Sequence, residues 1–309
     1  MKIFTLAPSE NWICDRFAEE WKRHAAGFNT NDPMQADIIW LLADWCWNQV
    51  NPYLLMQKKV VASVHHITPD KFDENEKTIF ATRDQFIDAY HVPCLKTKDQ
   101  IKDLTTKPIY TFPFWVNQEM WKNKRSEKLE LRKKYNLPEN SFLIGSFQRD
   151  TEGHDLISPK LEKGPDLFCD AIQRFQEEKG NVHVVLGGWR RQYVISRLES
   201  ANIPYTYFEL PPFETINDLY NSLDLYVVSA RYEGGPQAIV ECASNETPII
   251  STDVGLASEI LPQESIFLPG KELEAIASPE KAKINVYPFL MPQGFEYFIN
   301  LFKKVQERC

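Results

Sequence analysis

The chain has 309 residues and a formal net charge of −8 at pH 7, with 43% hydrophobic, 13% aromatic and 25% charged residues. That length suits two domains of ordinary size, and those fractions are the fractions of a soluble globular protein. The acidic balance argues against a general nucleic-acid binder, which carries a basic face. The six cysteines are scattered with no C-x-x-C pair, so neither a zinc pattern nor a disulfide framework is expected, and reduced thiols in a cytoplasm are the simplest reading. No signal peptide is read at the N-terminus, and no apolar run reaches the roughly 20 residues of a spanning helix.

In chain order, Lys2–Ala7 reads as a first strand, and Pro8-Ser9-Glu10-Asn11 as a turn whose Ser9 or Asn11 suits a helix cap. The helix expected from Trp12 to His24 places Trp12, Phe17 and Trp21 on its apolar side. Asp37–Leu42 is a second apolar strand, followed by the aromatic stretch Ala43-Asp44-Trp45-Cys46-Trp47-Asn48. Those tryptophans suit either stacking on a sugar ring or packing on a neighbouring helix. Lys59–Val64 is a third strand, and it ends in His65-His66. Neighbours in a strand point to opposite faces, so only one of the two histidines can face a site there. Asp70 and Asp73 lie close together, but their spacing matches no metal-ligand set. Thr78–Thr82 reads as a short strand and Arg83–Tyr90 as a helix. Ile109–Val116 looks like the exit from a first domain, and Ser126–Tyr135 is a charged helix opening a second.

Phe142–Phe147 is the first strand of that second domain, followed by Gln148-Arg149-Asp150 and a long polar loop. Lys163-Gly164-Pro165-Asp166 starts a helix that runs to Glu178. Val182–Gly188 and Tyr205–Leu210 are strands, and Ile216–Ser222 is a helix. Then comes the stretch around which the chain is organised. Leu223–Val228 is a buried strand, Ser229–Gly235 a tight turn, and Pro236 the start of a helix reaching Ser244. Backbone N–H groups and the positive end of a helix dipole there suit a charged ligand. Glu233 on the turn and Glu241 on the helix are eight residues apart, about two helical turns. Two carboxylates beside such N–H groups suggest a polyol carrying a charged group. Pro248–Ser251 is a further strand, Ala257–Ile260 a short helix, and Phe289–Glu307 a final amphipathic one.

The run from about Asn217 to Gly255 resembles the signature of the retaining GT-B glycosyltransferases of family 4, the glycosyl transferases group 1. The resemblance rests on Glu233 and Glu241, on the Glu-Gly-x-Pro between them, and on Pro248-Ile249-Ile250-Ser251-Thr252-Asp253-Val254-Gly255 after them. It implies an α/β fold of two Rossmann-like, doubly wound parallel-sheet domains facing a central cleft, with the last helix crossing back to the first domain. The expected division is 1–117 (acceptor side), 118–287 (donor side) and 288–309 (the returning helix). Pro113-Phe114-Trp115-Val116-Asn117 is similar to the family's Pro-x-Gly-Val-Asp exit, with Trp115 in place of glycine. The family's Gly-rich first turn has no counterpart here.

The resemblance further implies a nucleoside-diphosphate sugar as donor, with transfer that retains anomeric configuration. Arg149 and Lys163 match the family's two pyrophosphate cations, and Lys160 is a looser third. Glu241 would hold the ribose and Glu233 the sugar hydroxyls, helped by the N–H groups of Gly234 and Gly235. Backbone groups from Leu210 to Pro212 would hold the base. His65, with His66 as the alternate, would lie near the transferred sugar. The expected catalytic set is therefore Glu233, Arg149, Lys163 and His65, with Glu241, Gly234, Gly235 and Leu210 binding donor. No Asp-x-Asp triplet supplies a metal clamp, so metal-independent transfer without a further cofactor is expected. The acceptor is a glycan, lipid or small molecule, and a lipid acceptor would bring peripheral membrane contact. Two rivals stand beside this reading: a catalytically degenerate GT-B protein that binds nucleotide or glycan without turnover, and a sugar-nucleotide 2-epimerase.

Overall fold

The structure is a computed structural model, and it describes residues 1–10 and 13–307. The Asn11 cap and the Trp12 face of the first helix lie outside the described residues. The chain forms two compact units, one of Met1–Trp115 with Met291–Cys309 and one of Val116–Leu290.

The first unit contains β1 (Ile3–Leu6), α1 (Ile13–His24), β2 (Asn29–Thr30), β3 (Ile38–Leu41), α2 (Pro52–Gln57), β4 (Lys59–Ser63), α3 (Glu74–Asp84), β5 (Ala89–Val92), α4 (Leu95–Ile101) and β6 (Ile109–Thr111). Its six strands pair in the order β2-β1-β3-β4-β5-β6, every pairing parallel. β3 and β5 are buried along their whole length. Parallel strands covered on both faces have to read as near-continuous apolar runs, which is why Ile38–Leu41 was legible.

One stretch of the first unit differs from expectation. Thr78–Thr82 is part of α3, and the residues expected to close a helix, Ala89 and Tyr90, begin β5. Two local forces account for this. The Asp73 carboxylate accepts the Glu76 N–H at 3.0 Å and starts a helix, whose acidic first turn suits the dipole. The β-branched Thr78 and Thr82 turn their hydroxyls back onto the carbonyls of Glu74 and Thr78, at 2.8 Å each. β5 is formed by tertiary pairing, since Ala89–His91 lie between β4 and β6 in a buried ladder. At the first turn, the N–H groups of Ser9 and Glu10 donate to Asp15 of α1 at 3.0 and 2.9 Å.

The second unit contains α5 (Lys128–Lys134), β7 (Phe142–Ser146), α6 (Pro165–Lys179), β8 (Val182–Gly188), α7 (Gln192–Ser200), β9 (Tyr205–Glu209), α8 (Phe213–Ser222), β10 (Leu225–Val228), α9 (Gln237–Asn245), β11 (Ile249–Thr252), α10 (Ala257–Ile260), β12 (Ile266–Phe267) and α11 (Pro279–Val286). The strands pair in the order β12-β11-β10-β7-β8-β9, again all parallel. β7 lies between β8 and β10, so the winding reverses there. The carboxyl ends of β7 and β10 are therefore the place where an open α/β sheet leaves a crevice for a ligand.

The last helix, α12 (Gln293–Gln306), belongs to the first unit. Phe295, Phe298, Leu301, Phe302 and Val305 share a buried cluster with Trp21, Trp40 and Trp115. Phe298 lies 4.9 Å from Trp40 and Phe295 lies 4.4 Å from Trp115, ring centre to ring centre. The indole N–H of Trp115 donates to Glu20 at 2.7 Å, which satisfies its one polar atom. The Trp115 side chain thus fills the core of the first unit.

Candidate functional site

The signature stretch takes the expected form in the second unit: β10, a turn from Ser229 to Pro236, then α9. Two glycines hold the turn against its neighbours. Gly164, in the left-handed region at φ 61°, lies so near that a Cβ there would be 1.9 Å from the carbonyl oxygen of Ser229. Gly255, at φ 51°, would set a Cβ 2.1 Å from the carbonyl oxygen of Gly234. Only glycine permits either the conformation or the approach. Hydrogen bonds complete the seam. The Ser229 hydroxyl donates to the Gly164 carbonyl at 2.8 Å, the N–H groups of Arg231 and Tyr232 donate to the Glu162 carbonyl, and the Leu256 N–H donates to the Gly234 carbonyl at 2.9 Å. Arg231 also forks onto both oxygens of Asp166 at 2.7 and 2.6 Å. The sequence alone assigns Arg231 and Asp166 no role. Their motifs were visible, but their pairing spans 65 residues.

This seam brings Lys163 and Glu233 together. The Lys163 ammonium donates to the Glu233 carboxylate, and both side chains are partly open to solvent. Gln148, just after β7, donates its side-chain amide to the Lys163 carbonyl at 2.8 Å. Arg149 follows; its Nε donates to the Thr151 carbonyl at 2.8 Å and its guanidinium lies 5.8 Å from the ring centre of Trp189. Lys160 pairs with Glu162 at 3.4 Å. Burial holds the Lys160 ammonium below its ordinary pKa; Glu162 opposes this, while the positive charges of Lys163 and Arg149 add to it. Lys160 thus lies within electrostatic reach of both Lys163 and Arg149. The loop between them is folded on itself by the Thr151–Pro159 bridge and by the Glu152 N–H donating to the Ser158 carbonyl at 3.0 Å.

Glu241 is buried on α9 and accepts the Tyr220 hydroxyl at 3.0 Å. Burial, then the neighbouring Glu241 charge, raises the Tyr220 phenol well above its ordinary pKa, so it stays a donor. Leu210 is exposed at the end of β9, in the left-handed region at φ 44°, with its N–H donating to the Gly188 carbonyl at 3.3 Å. Gly187 serves packing: a Cβ there would meet the Phe147 ring at 2.9 Å. These residues all belong to the second unit.

His65 belongs to the first unit. Its Nε2 donates to the Leu42 carbonyl at 2.8 Å, and its ring stacks on Phe114 with centres 5.6 Å apart. Trp45, about half exposed, tilts onto the same imidazole at 5.9 Å, whereas Trp47 stacks on Phe86. His66 is half-buried beside it. Among the described residues, no three His, Cys, Asp or Glu side chains gather as a metal set, and no helix is long and apolar enough to cross a membrane.

Residues 156–279, which hold this turn and both of its carboxylates, match the family described as glycosyl transferases group 1. The HepE protein of Anabaena, in its complex with UDP, superposes with a TM-score of 0.79 at 13% identity, covering 98% of this chain and 100% of that one. The fold is GT-B. Sucrose-phosphate synthase from Thermosynechococcus elongatus has the same architecture, with a TM-score of 0.68 at 15% identity over 97% of this chain and 81% of that one. Among curated relatives, the lipopolysaccharide core biosynthesis mannosyltransferase LpsB of Rhizobium meliloti (strain 1021) is 22% identical over 175 residues, 53% of this chain and 47% of LpsB. The chain therefore spans about half the length of the curated relative it matches.

Proposed function

We propose that the protein is a retaining glycosyltransferase that takes its sugar from a nucleoside-diphosphate donor held by the second unit. The observation that carries this reading is the pairing of Lys163 with Glu233 of the turn after β10, with Lys160 in electrostatic reach of both Lys163 and Arg149. Three half-buried cations suit a diphosphate whose charge grows as it leaves. Lys163 would turn from Glu233 to a phosphate oxygen, and Glu233 would accept sugar hydroxyls. Glu241, already oriented by Tyr220, would accept ribose hydroxyls. HepE in complex with UDP-glucose is a solved protein of this fold, and LpsB is a mannosyltransferase, which supports a nucleotide sugar as the donor class. Retention follows from the resemblance to family 4. Metal-independence is proposed because side-chain cations supply the charge that a divalent ion would otherwise bring.

The test is a thermal-shift panel of UDP, GDP, ADP and dTDP with their common sugars. A specific ligand at a hundredfold excess over Kd stabilises the folded state by about 2.7 kcal/mol. One base family should raise the melting temperature, and Glu241→Ala and Arg149→Ala should remove the shift. No shift with any of them, in folded protein, would refute the donor site. Turnover of the identified donor should survive EDTA, and the product should keep the donor's anomeric configuration by NMR.

A further inference from the structure

The end of β7 and the end of β8 are joined by an ion pair that the donor reading leaves unused. Asp150 and Arg191 are each only 1% exposed in their side chains, with Arg191 Nε 2.9 Å from Asp150 Oδ2. The rest of the guanidinium donates to the Ser146 carbonyl, to the Gly187 carbonyl at 2.8 Å and to the Ser146 hydroxyl at 3.2 Å. The other Asp150 oxygen accepts the Tyr193 N–H at 3.3 Å, in the first turn of α7. The Asp150 backbone is also engaged. Its N–H donates to the Arg190 carbonyl at 3.1 Å, and its carbonyl accepts the Lys160 N–H at 2.8 Å. Next to it, the Thr151 carbonyl holds Arg149 Nε, and the Thr151 hydroxyl donates to the Arg190 carbonyl at 3.3 Å.

A buried ion pair is a poor stability device, because desolvation of both charges offsets most of their attraction. It is a strong geometric device, because its fork admits few arrangements. Here the fork fixes the two backbone positions from which the loop cations project. Arg149 directly precedes Asp150 in the chain, and the Lys160 backbone hangs on the Asp150 carbonyl. The flanking turn is conformationally restrained too, since Arg190 sits in the left-handed region at φ 59°.

We infer that the Asp150–Arg191 pair is a positioning device that aims Arg149 and Lys160 at the phosphates of the donor. The inference rests on the donor reading above. It assigns Asp150 and Arg191 no contact with substrate; they act through the two cations.

The experiment is a double-mutant cycle read by calorimetric binding of UDP and of inorganic pyrophosphate. Wild type, Asp150→Asn, Arg149→Ala and the double variant are compared, each first shown to unfold cooperatively. Asp150→Asn should weaken both ligands roughly tenfold, and in the double variant the two losses should add to less than their sum, because Asp150→Asn already removes the Arg149 contact and adds only its effect through Lys160. Should Asp150→Asn not fold, Arg191→Lys carries the same cycle, keeping the charge and losing the fork. A lower melting temperature with unchanged affinity, or losses that add in full, would reduce the pair to a structural role and overturn the inference while leaving the donor reading intact. Wild type that binds neither UDP nor pyrophosphate, with no shift from any nucleotide of the panel, would overturn both.

Discussion

Lys163 and Glu233 were each legible as single residues; that they meet was not, since 70 residues separate them. The same limit applies to His91, which the sequence left unremarked just after a stretch expected to be helix. It is fully buried, donates from Nε2 to the Phe112 carbonyl at 2.9 Å and accepts at Nδ1 from the Ser63 hydroxyl at 3.0 Å. Ser63 in turn accepts the Trp40 indole N–H at 3.0 Å. Burial lowers the His91 pKa from 6.5 to about 3, with the Phe112 hydrogen bond only partly opposing it. The folded chain therefore keeps this imidazole neutral while the unfolded chain protonates it. Its contribution is fully present above about pH 6.5 and is lost as pH falls toward about 3. Each pH unit in that window costs up to about 1.4 kcal/mol from this one group. Unfolding in urea between pH 7 and pH 4.5 should show this slope, and His91→Gln should flatten it. An equal slope in both proteins would refute the assignment.

At the scale of elements, the turn after β10 is held in place by backbone approach. Gly164 starts α6 at φ 61° and has the Ser229 carbonyl against its Cα. Gly164→Ala should destabilise by more than 2 kcal/mol or so, from the strained φ and the backbone clash together. Gly180→Ala is the control. It is also left-handed, at φ 74°, yet nothing lies within 4 Å of the added Cβ, so about 1 kcal/mol of conformational strain should be its whole cost. Chemical denaturation of the two variants separates the terms, and equal costs would mean that the seam yields. The Lys-Gly-Pro start of α6 was readable because glycine and proline act on their own backbone. Thr78–Thr82 of α3 reads as a strand in the sequence because β-branched residues express a β preference only where a sheet receives them. There, the Asp73 cap acts first.

At the scale of the molecule, the first unit is discontinuous, since its core is completed by the last 19 residues, Met291–Cys309. Six apolar side chains of α12 are buried in it, and fully burying each is worth roughly 1.5–3 kcal/mol. That sum reaches the whole stability of an ordinary domain. A chain ending at Leu290 should thus lose the cooperative unfolding of the first unit and bind a hydrophobic dye, with Trp21, Trp40 and Trp115 opened to water. A truncated chain that kept the native near-ultraviolet signal of those tryptophans would refute this.

What the sequence determined by itself is whatever acts within a few residues: the apolar runs of a parallel sheet, the glycines of the turn after β10, the proline starts of α6 and α9, and with them the two-sheet α/β class and most of the residues of the candidate site. What only the tertiary structure decided is which of these groups face one another. Trp115 is seated in the core of the first unit, where Glu20, 95 residues earlier, accepts its indole N–H. β5 exists because two neighbouring strands complete its ladder. Asp150 reads in the chain as one polar loop residue among several, and becomes a buried anchor only when Arg191, 41 residues later, arrives at the end of the adjacent strand. Local preference is a property of each residue and its neighbours, whereas a partner is set by sheet order and register, to which distant segments contribute together.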